Sequence, residues 1–198
     1  MIGLPALPQH SGALRAREAV VALERPAIAN HSFRTYVWAL LAGEKRGMRA
    51  GADFDADLLF YACVLHDLGT ADAHDGPSRF EVEGADAAAE LLAAQGVGSA
   101  EIDQVWEAIA LHTSPHIAER RGPLSLLTRL GVLADFQGPG ADHSQLVAET
   151  ERAYPRLDIE RELTDAVVSQ ALRKPEKAPE HSWPGGLLRA RLDATPPP

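Results

Sequence analysis

The sequence predicts an all-α fold, a compact bundle of six to eight helices, from three observations. Apolar residues recur at spacings of three and four, which is typical of helices with one buried face. No segment shows the alternating pattern, bounded by turn residues, that is typical of strands. The chain has 198 residues, 45% of them hydrophobic, which suffices for one full core. We therefore predict a single helical domain over residues 13–192, between a loose lead-in at 1–12 and a frayed tail at 193–198.

The first two predicted helices differ in how their apolar residues are distributed. Residues 33–47 carry apolar side chains along one face only, as in a helix at the edge of a core. Residues 53–69 follow, and their centre at 58–65 is apolar on every side. Such a segment indicates a helix surrounded by other helices, and Gly69 suits its C-terminal end.

Six further segments have helical spacing and are separated by glycine or proline. Gly96 and Gly138 suit the ends of two of them, and Pro115 interrupts another. These segments are residues 79–96, 99–115, 122–138, 142–155 and 158–174, with a shorter one at 185–194.

Charge and cysteine content restrict the classes of partner. The formal net charge is −9, which argues against nucleic acid and against an anionic membrane surface, because both favour basic proteins. A small-molecule substrate is therefore expected, and the sequence leaves the oligomeric state open. Cys63 is the single cysteine, so no intrachain disulfide forms and a cytoplasmic location is favoured. No apolar stretch reaches the ~18 residues of a membrane span.

Two histidines and two aspartates suggest a metal site. His66 and Asp67 follow the most apolar helix, where polar side chains are costly to bury without a partner. His31 begins the preceding helix, and Asp135 ends a later one. Two imidazoles and two carboxylates suit one divalent ion such as Zn, Fe, Mn, Co or Ni, and they leave positions open for water.

The order of these four residues resembles that of the HD-domain metal-dependent hydrolase superfamily, in which His, His-Asp and a distant Asp lie on helices. The strings "NHSFRTYVWA", "LHDLGT" and "FEVEGADAA" further resemble its cyanamide-hydratase-like branch, and the likeness covers residues 28–137. The resemblance implies an HD-type bundle with the ion held by His31, His66, Asp67 and Asp135.

The resemblance also implies a reaction in which the metal activates a water molecule, with Asp67 taking part in catalysis as well as in binding. Two chemistries remain open, the hydration of a cyanamide- or nitrile-like compound and the hydrolysis of a phosphate ester or nucleotide. An alternative of another class is a regulatory or binding module whose HD site no longer catalyses a reaction.

Three further residues are candidates by their place in this pattern. Glu83, or its neighbour Glu81, is a candidate general acid or base near the water. His112 is a candidate proton donor or substrate contact, and His116 a candidate substrate contact. Pro115 separates the two histidines, so the segment reads better as a helix end running into a loop.

Two other residues are candidates for substrate binding. Arg34 lies one turn from His31, where it either binds an anionic substrate group or pairs with an acidic neighbour. Thr70 either positions substrate or simply ends the turn after Asp67.

The number of ions follows from one departure from the family pattern. Two-metal members of the superfamily have a histidine just ahead of a Gly-Ala pair, and here Glu83 precedes Gly84 and Ala85. The sequence therefore predicts one ion per chain.

Overall fold

Residues 3–194 are described by a computed structural model, and they form nine α-helices without a β-strand. The predicted all-α class is confirmed. Residues 1–2 of the predicted lead-in at 1–12 and residues 195–198 of the predicted tail at 193–198 lie outside the described part of the chain. The helices are α1 (Ser11–Leu23), α2 (Pro26–Glu44), α3 (Ala56–Leu65), α4 (Phe80–Ala93), α5 (Ser99–Leu111), α6 (Pro123–Gln137), α7 (Ser144–Ala153), α8 (Ile159–Arg173) and α9 (Trp183–Asp193).

The described residues form one helix more than the predicted six to eight, and the additional helix is α1. The sequence does not predict it because its buried face has few large apolar residues. Its buried face consists of Gly12, Ala13, Ala16 and Val20, which have helical spacing but little hydrophobicity. The imidazole of His10 accepts a hydrogen bond from the backbone of Ala13 and caps the helix. Small residues allow a close approach of helices, so this face packs against α3 without a strong sequence signal.

Helix α3 lies at the centre of the bundle. Every residue from 58 to 65 is buried, and the helix contacts α1, α2, α5 and α6. The carboxylate of Asp55 accepts hydrogen bonds from the first-turn amides of Asp57 and Leu58, which fixes the start of the helix. The helix ends at Leu65, four residues earlier than Gly69, so His66 and Asp67 stand just past its last turn.

The closest contact between long helices joins α2 to α6. A Cβ atom built on Gly131 would lie 2.4 Å from the carbonyl oxygen of Thr35. Glycine is therefore required for this spacing between the two helices. Asp135 lies one turn beyond Gly131 on α6, so the same contact sets how closely Asp135 approaches α2.

Helices α8 and α9 pack together beside α2. Helix α8 packs against α2 and α9, and it buries Ile159, Leu163 and Val167 in a small apolar cluster with Phe80. Over residues 3–194, no helix is long and apolar enough to cross a membrane.

We predict that Gly131→Ala destabilises the protein by about 2 kcal/mol, because the added methyl group overpacks the contact between α2 and α6. Thermal unfolding followed by circular dichroism measures the change. Gly186→Ala is the matched control, since it is also helical and a Cβ there meets nothing within 4 Å. The control should be neutral or stabilising by up to about 1 kcal/mol, and equal melting temperatures for the two variants would contradict the prediction.

Candidate metal centre

Three helix segments bring four polar side chains to one buried point. His31 lies in the second turn of α2, His66 and Asp67 follow α3, and His112 follows α5. All four residues are at most 2% exposed. One ligand atom from each of His31, His66 and Asp67 lies within 4.8 Å of the others, so these three residues can hold a metal ion.

The ring orientations of His66 and His112 are fixed in the same way. Each imidazole places Nδ1 against the carbonyl oxygen three residues earlier, at 2.8 Å for Cys63 and 2.7 Å for Ile109. A carbonyl oxygen only accepts hydrogen bonds, so Nδ1 carries the proton and donates in both residues. These carbonyls belong to the last helical turn, and that of Ile109 also accepts a hydrogen bond from the backbone amide of His112 at 3.3 Å. The two imidazoles therefore add hydrogen bonds at the ends of their helices.

The ring of His31 is held by a carboxylate. Its Nδ1 lies 2.7 Å from Oδ2 of Asp135, and an ionised carboxylate only accepts hydrogen bonds. The proton of neutral His31 is therefore on Nδ1, and its Nε2 carries a free lone pair. A carboxylate in this position orients a metal-binding imidazole and raises its basicity.

The Nε2 atoms of the three histidines face the carboxylate of Asp67. Nε2 of His66 lies 3.2 Å from Nε2 of His31 and 3.3 Å from Oδ2 of Asp67. Nε2 of His31 lies 3.8 Å from the same oxygen, and Nε2 of His112 lies 3.7 Å from Oδ1. Both oxygens of Asp67 are buried without a hydrogen-bond partner. Lone pairs and an unpaired buried carboxylate repel one another. The four side chains of His31, His66, Asp67 and His112, called the donor set below, therefore fit a cation.

The pKa values follow from burial and from these contacts. Burial lowers the pKa of His31, and burial together with the nearby His66 lowers the pKa of His112 to about 4. Burial alone would lower the pKa of His66, but the charge of Asp67 raises it overall. Burial alone would raise the pKa of Asp67, but His66 and the other histidines lower it. Asp67 is therefore ionised at neutral pH while His31 and His112 are neutral, the states in which such side chains can bind a metal ion, whereas His66 must release the proton that Asp67 favours.

Asp135 lies on the outer side of His31. Its Oδ1 accepts hydrogen bonds from Nε of Arg34 at 2.7 Å and from Nε1 of Trp38 at 2.9 Å. Its Oδ2 accepts from Nη2 of Arg34 and from His31, both at 2.7 Å. In this arrangement both oxygens are engaged away from Asp67, and Asp135 is outside the group of three that can share an ion. A direct bond from Asp135 to the metal stays a prediction, whereas its contact with His31 is observed.

Arg34 adopts the second of its two expected roles. The side chain is fully buried and makes a two-pronged ion pair with Asp135. Its remaining nitrogen, Nη1, donates to the backbone oxygens of Tyr154 and Pro155 at 3.0 and 3.2 Å. The guanidinium is thus part of the protein interior and does not line the pocket described next.

A pocket of about 340 Å³ opens onto the donor set. Its inner end is formed by the three histidines and Asp67, and its walls come from the C-terminal half of α6, the first turns of α8 and the start of α9. The residues that line it are His31, His66, Asp67, His112, Thr113, Arg129, Val132, Leu133, Phe136, Glu160, Leu163, Thr164 and Trp183.

Besides Arg34 and Asp135, three of the predicted site residues lie outside this pocket. The hydroxyl of Thr70 donates to the backbone oxygen of Asp67 at 2.7 Å and so closes the turn. Oε1 of Glu83 accepts a hydrogen bond from the amide of Ser78 at 2.6 Å. His116 is exposed, with a left-handed φ of 67° in the loop after α5. The structure brings none of these three side chains to the donor set.

Glu81, the alternative to Glu83 as a general acid or base, does not line the pocket either. It is fully buried, and Oε1 accepts hydrogen bonds from the Thr113 hydroxyl at 2.5 Å and from Arg79 at 2.6 Å. Because Thr113 lines the pocket beside His112, Glu81 supports the pocket wall from behind.

Sequence reasoning missed the part of the pocket that lies far along the chain. Arg129, Val132, Leu133 and Phe136 are spaced three, four and seven apart on α6, so they share one face. A similar spacing links Glu160, Leu163 and Thr164 on α8. The helical spacing was visible in the sequence, but the element each face contacts was not.

Comparison with known proteins agrees with this geometry. The pattern of the HD domain family matches residues 28–180, more than half of the chain. Two proteins of Saccharomyces cerevisiae (strain ATCC 204508 / S288c), Cyanamide hydratase DDI2 and Cyanamide hydratase DDI3, are each 27% identical to it over 153 residues. These matches cover 75% of this chain and 67% of each yeast protein. The resemblance inferred from the short strings is confirmed, and the chain belongs to the HD domain family.

Proposed function

We propose that the protein is a metal-dependent enzyme that adds water to a small neutral molecule with a nitrile-like carbon, such as a cyanamide. The observation that carries this proposal is a buried set of metal-binding atoms at the end of a pocket that offers little positive charge to an anion. The names of the two yeast relatives support the same chemistry.

The charges around the pocket favour a neutral substrate. Arg34, the expected anion-binding residue, is buried in its pair with Asp135. Among the described lining residues Arg129 is the one arginine or lysine, and its Nη1 donates to the backbone oxygen of His112 at 2.9 Å. Glu160 adds a negative charge to the wall. A phosphate ester requires several paired cations or donors, whereas a nitrile group carries no charge to neutralise.

His31, His66 and Asp67 would hold one divalent ion, and Asp135 would keep the ring of His31 in the required orientation. When bound, such an ion supplies a Lewis acid that lowers the pKa of water and polarises the substrate. A second ion would depend on Glu83, His112 and His116, and of these three residues only His112 lines the pocket. One ion per chain therefore remains our proposal.

His112 would move the proton. Its Nδ1 proton is held by the backbone, and its Nε2 is neutral at pH 7 and faces the pocket. That nitrogen accepts a proton from the attacking water and returns it to the nitrile nitrogen. One such transfer gives the imidic acid R–C(OH)=NH, whose hydroxyl proton then moves to the nitrogen. The sum is R–C≡N plus H2O giving R–C(=O)–NH2, so cyanamide gives urea. The apolar side chains of α6 and α8 keep other water away from the reacting carbon.

The assignment of metal ligands predicts different metal contents for two aspartate variants. Asp67→Asn should lose the ion, because it removes the one ionised carboxylate among the converging donors. Asp135→Asn should weaken metal affinity by about 10- to 100-fold, as expected for a residue that orients a ligand. Elemental analysis and metal titration measure both effects.

The matched control for these variants is Glu83→Gln, which should retain the metal because Glu83 lies outside the pocket and accepts a hydrogen bond from the Ser78 amide. Circular dichroism must accompany the comparison, since Asp135→Asn leaves Arg34 buried without its ionic partner. A folded Asp135→Asn protein that loses the ion as completely as Asp67→Asn would show Asp135 to be a direct ligand.

The substrate class is tested by paired assays on the metal-loaded protein. We expect urea to form from cyanamide and no turnover of p-nitrophenyl phosphate, because Arg129 is the one arginine or lysine among the described lining residues and Glu160 adds a negative charge. Removal of the metal with a chelator should abolish urea formation, and restored metal should recover it. Turnover of the phosphate ester alone would establish a phosphohydrolase. Stoichiometric metal without turnover of either compound would support a binding module.

His112→Ala should reduce kcat for cyanamide by about 10²- to 10⁴-fold, the usual contribution of a positioned acid or base. Metal content should stay near that of the wild type, because the three other donors remain. Steady-state kinetics with elemental analysis on the same preparation measure both quantities. A variant with wild-type kcat would remove His112 from the mechanism, and one without metal would make it a ligand.

A further inference from the structure

We propose that the outer part of the pocket binds an apolar, planar substituent, so that the preferred substrate is a substituted neutral cyanamide or nitrile larger than cyanamide itself. This inference rests on the proposed function, since it names the substrate class of the same site. It is carried by the volume of the pocket, by the residues of its walls and by two exposed aromatic side chains.

The pocket is too large for the reacting group alone. Its volume is about 340 Å³, whereas a water molecule in the liquid occupies about 30 Å³. Cyanamide has three non-hydrogen atoms and would fill a small fraction of that space. An apolar cavity of about 150 Å³ already suffices to bind benzene in other proteins. The pocket therefore has room for the reacting group and a ring attached to it.

The walls beyond the histidines are chiefly apolar. Val132, Leu133 and Phe136 form the α6 side, Leu163 lies on the α8 side, and Trp183 belongs to the first turn of α9. Although Arg129 and Glu160 also line the pocket, these apolar side chains gain binding energy from contact with an apolar group.

The aromatic side chains are placed to contact a planar group. The ring of Phe136 lies 4.8 Å from that of His31, and the ring of Trp183 lies 6.0 Å from that of Phe80. The ring of Phe80 in turn lies 5.6 Å from that of His112. Phe136 is therefore next to a histidine of the donor set, and the Phe80 ring lies between Trp183 and His112. Phe136 and Trp183 are nevertheless 38% and 39% exposed. A flat apolar substituent would cover exposed area of both rings, which stabilises the complex.

The first experiment compares cyanamide with phenylcyanamide, which has the same reacting group. We expect kcat/KM to be about 10- to 100-fold higher for phenylcyanamide, the factor that accompanies removal of a phenyl-sized group from water. Isothermal titration with the corresponding products, phenylurea and urea, measures binding without turnover. Phenylurea should bind about 10- to 100-fold more tightly than urea.

A volume-filling variant separates the pocket from the intrinsic reactivity of the substrates. Val132→Phe should lower the ratio of the two kcat/KM values and the affinity for phenylurea, each by about 10-fold, because the new ring occupies the substituent's space. Val21→Phe is the matched control, since Val21 is 66% exposed on α1, outside the pocket. It should change neither quantity. Should Val132→Phe fail to fold, Trp183→Ala removes a wall and should lower phenylurea affinity instead.

The outcomes distinguish this inference from the proposed function. If cyanamide is hydrated but phenylcyanamide is no better a substrate and phenylurea binds no more tightly than urea, the inference is overturned and the function stands. An unchanged ratio in folded Val132→Phe overturns it as well. If phenylurea binds in a Val132-dependent manner but neither cyanamide is hydrated, the apolar pocket is supported and the proposed reaction fails.

Discussion

The carboxylate of Asp135 is the point on which the site depends, because it joins α6 to α2 beside the metal-binding atoms. Its two oxygens accept four hydrogen bonds, two from Arg34 and one each from Trp38 and His31. Removal of these charges from water is costly, and the cost is offset only when every donor and acceptor is paired. The close contact at Gly131, one turn earlier on α6, makes this complete pairing geometrically accessible.

This carboxylate has a chemical consequence at His31. By holding the proton on Nδ1, Asp135 leaves Nε2 free on the side that faces His66 and Asp67. The backbone of α3 and of α5 does the same for His66 and His112 through the carbonyls of Cys63 and Ile109. Helix ends and one buried ion pair therefore determine the tautomers of three histidines, and the converging lone pairs favour a cation.

The same packing decides which substrates the pocket favours. Use of Arg34 as a structural partner of Asp135 removes one positive charge from the site and leaves Arg129 as the one arginine or lysine among the described lining residues. The remaining walls are chiefly apolar side chains of α6 and α8 with Trp183 of α9. With the divalent ion that we propose, such a site would combine a Lewis acid with chiefly apolar walls, which is the basis of the proposed addition of water to an uncharged carbon.

The sequence by itself determined the helical class, the ends of most helices and the identity of three converging donors. Local rules suffice for these features: helical periodicity, glycine and proline at helix ends, and polar residues placed directly after a buried segment. His31, His66 and Asp67 were recognisable because burial of such groups demands a partner. Helix α1 was missed because small buried residues give little contrast in hydropathy.

Only the tertiary structure decided which polar neighbours share a contact. The sequence equally allows Arg34 to bind an anionic substrate group or to pair with an acidic residue. The pairing depends on Asp135, which is 101 residues away in sequence. Glu81 and Glu83 differ by two residues, yet only Glu81 is fully buried, because side chains two apart on a helix point in different directions. The faces of α6 and α8 that line the pocket had helical spacing in the sequence, but their partner elements are set by how helices pack. Spacing along one helix gives the direction of a side chain, whereas the group that it meets belongs to another part of the chain.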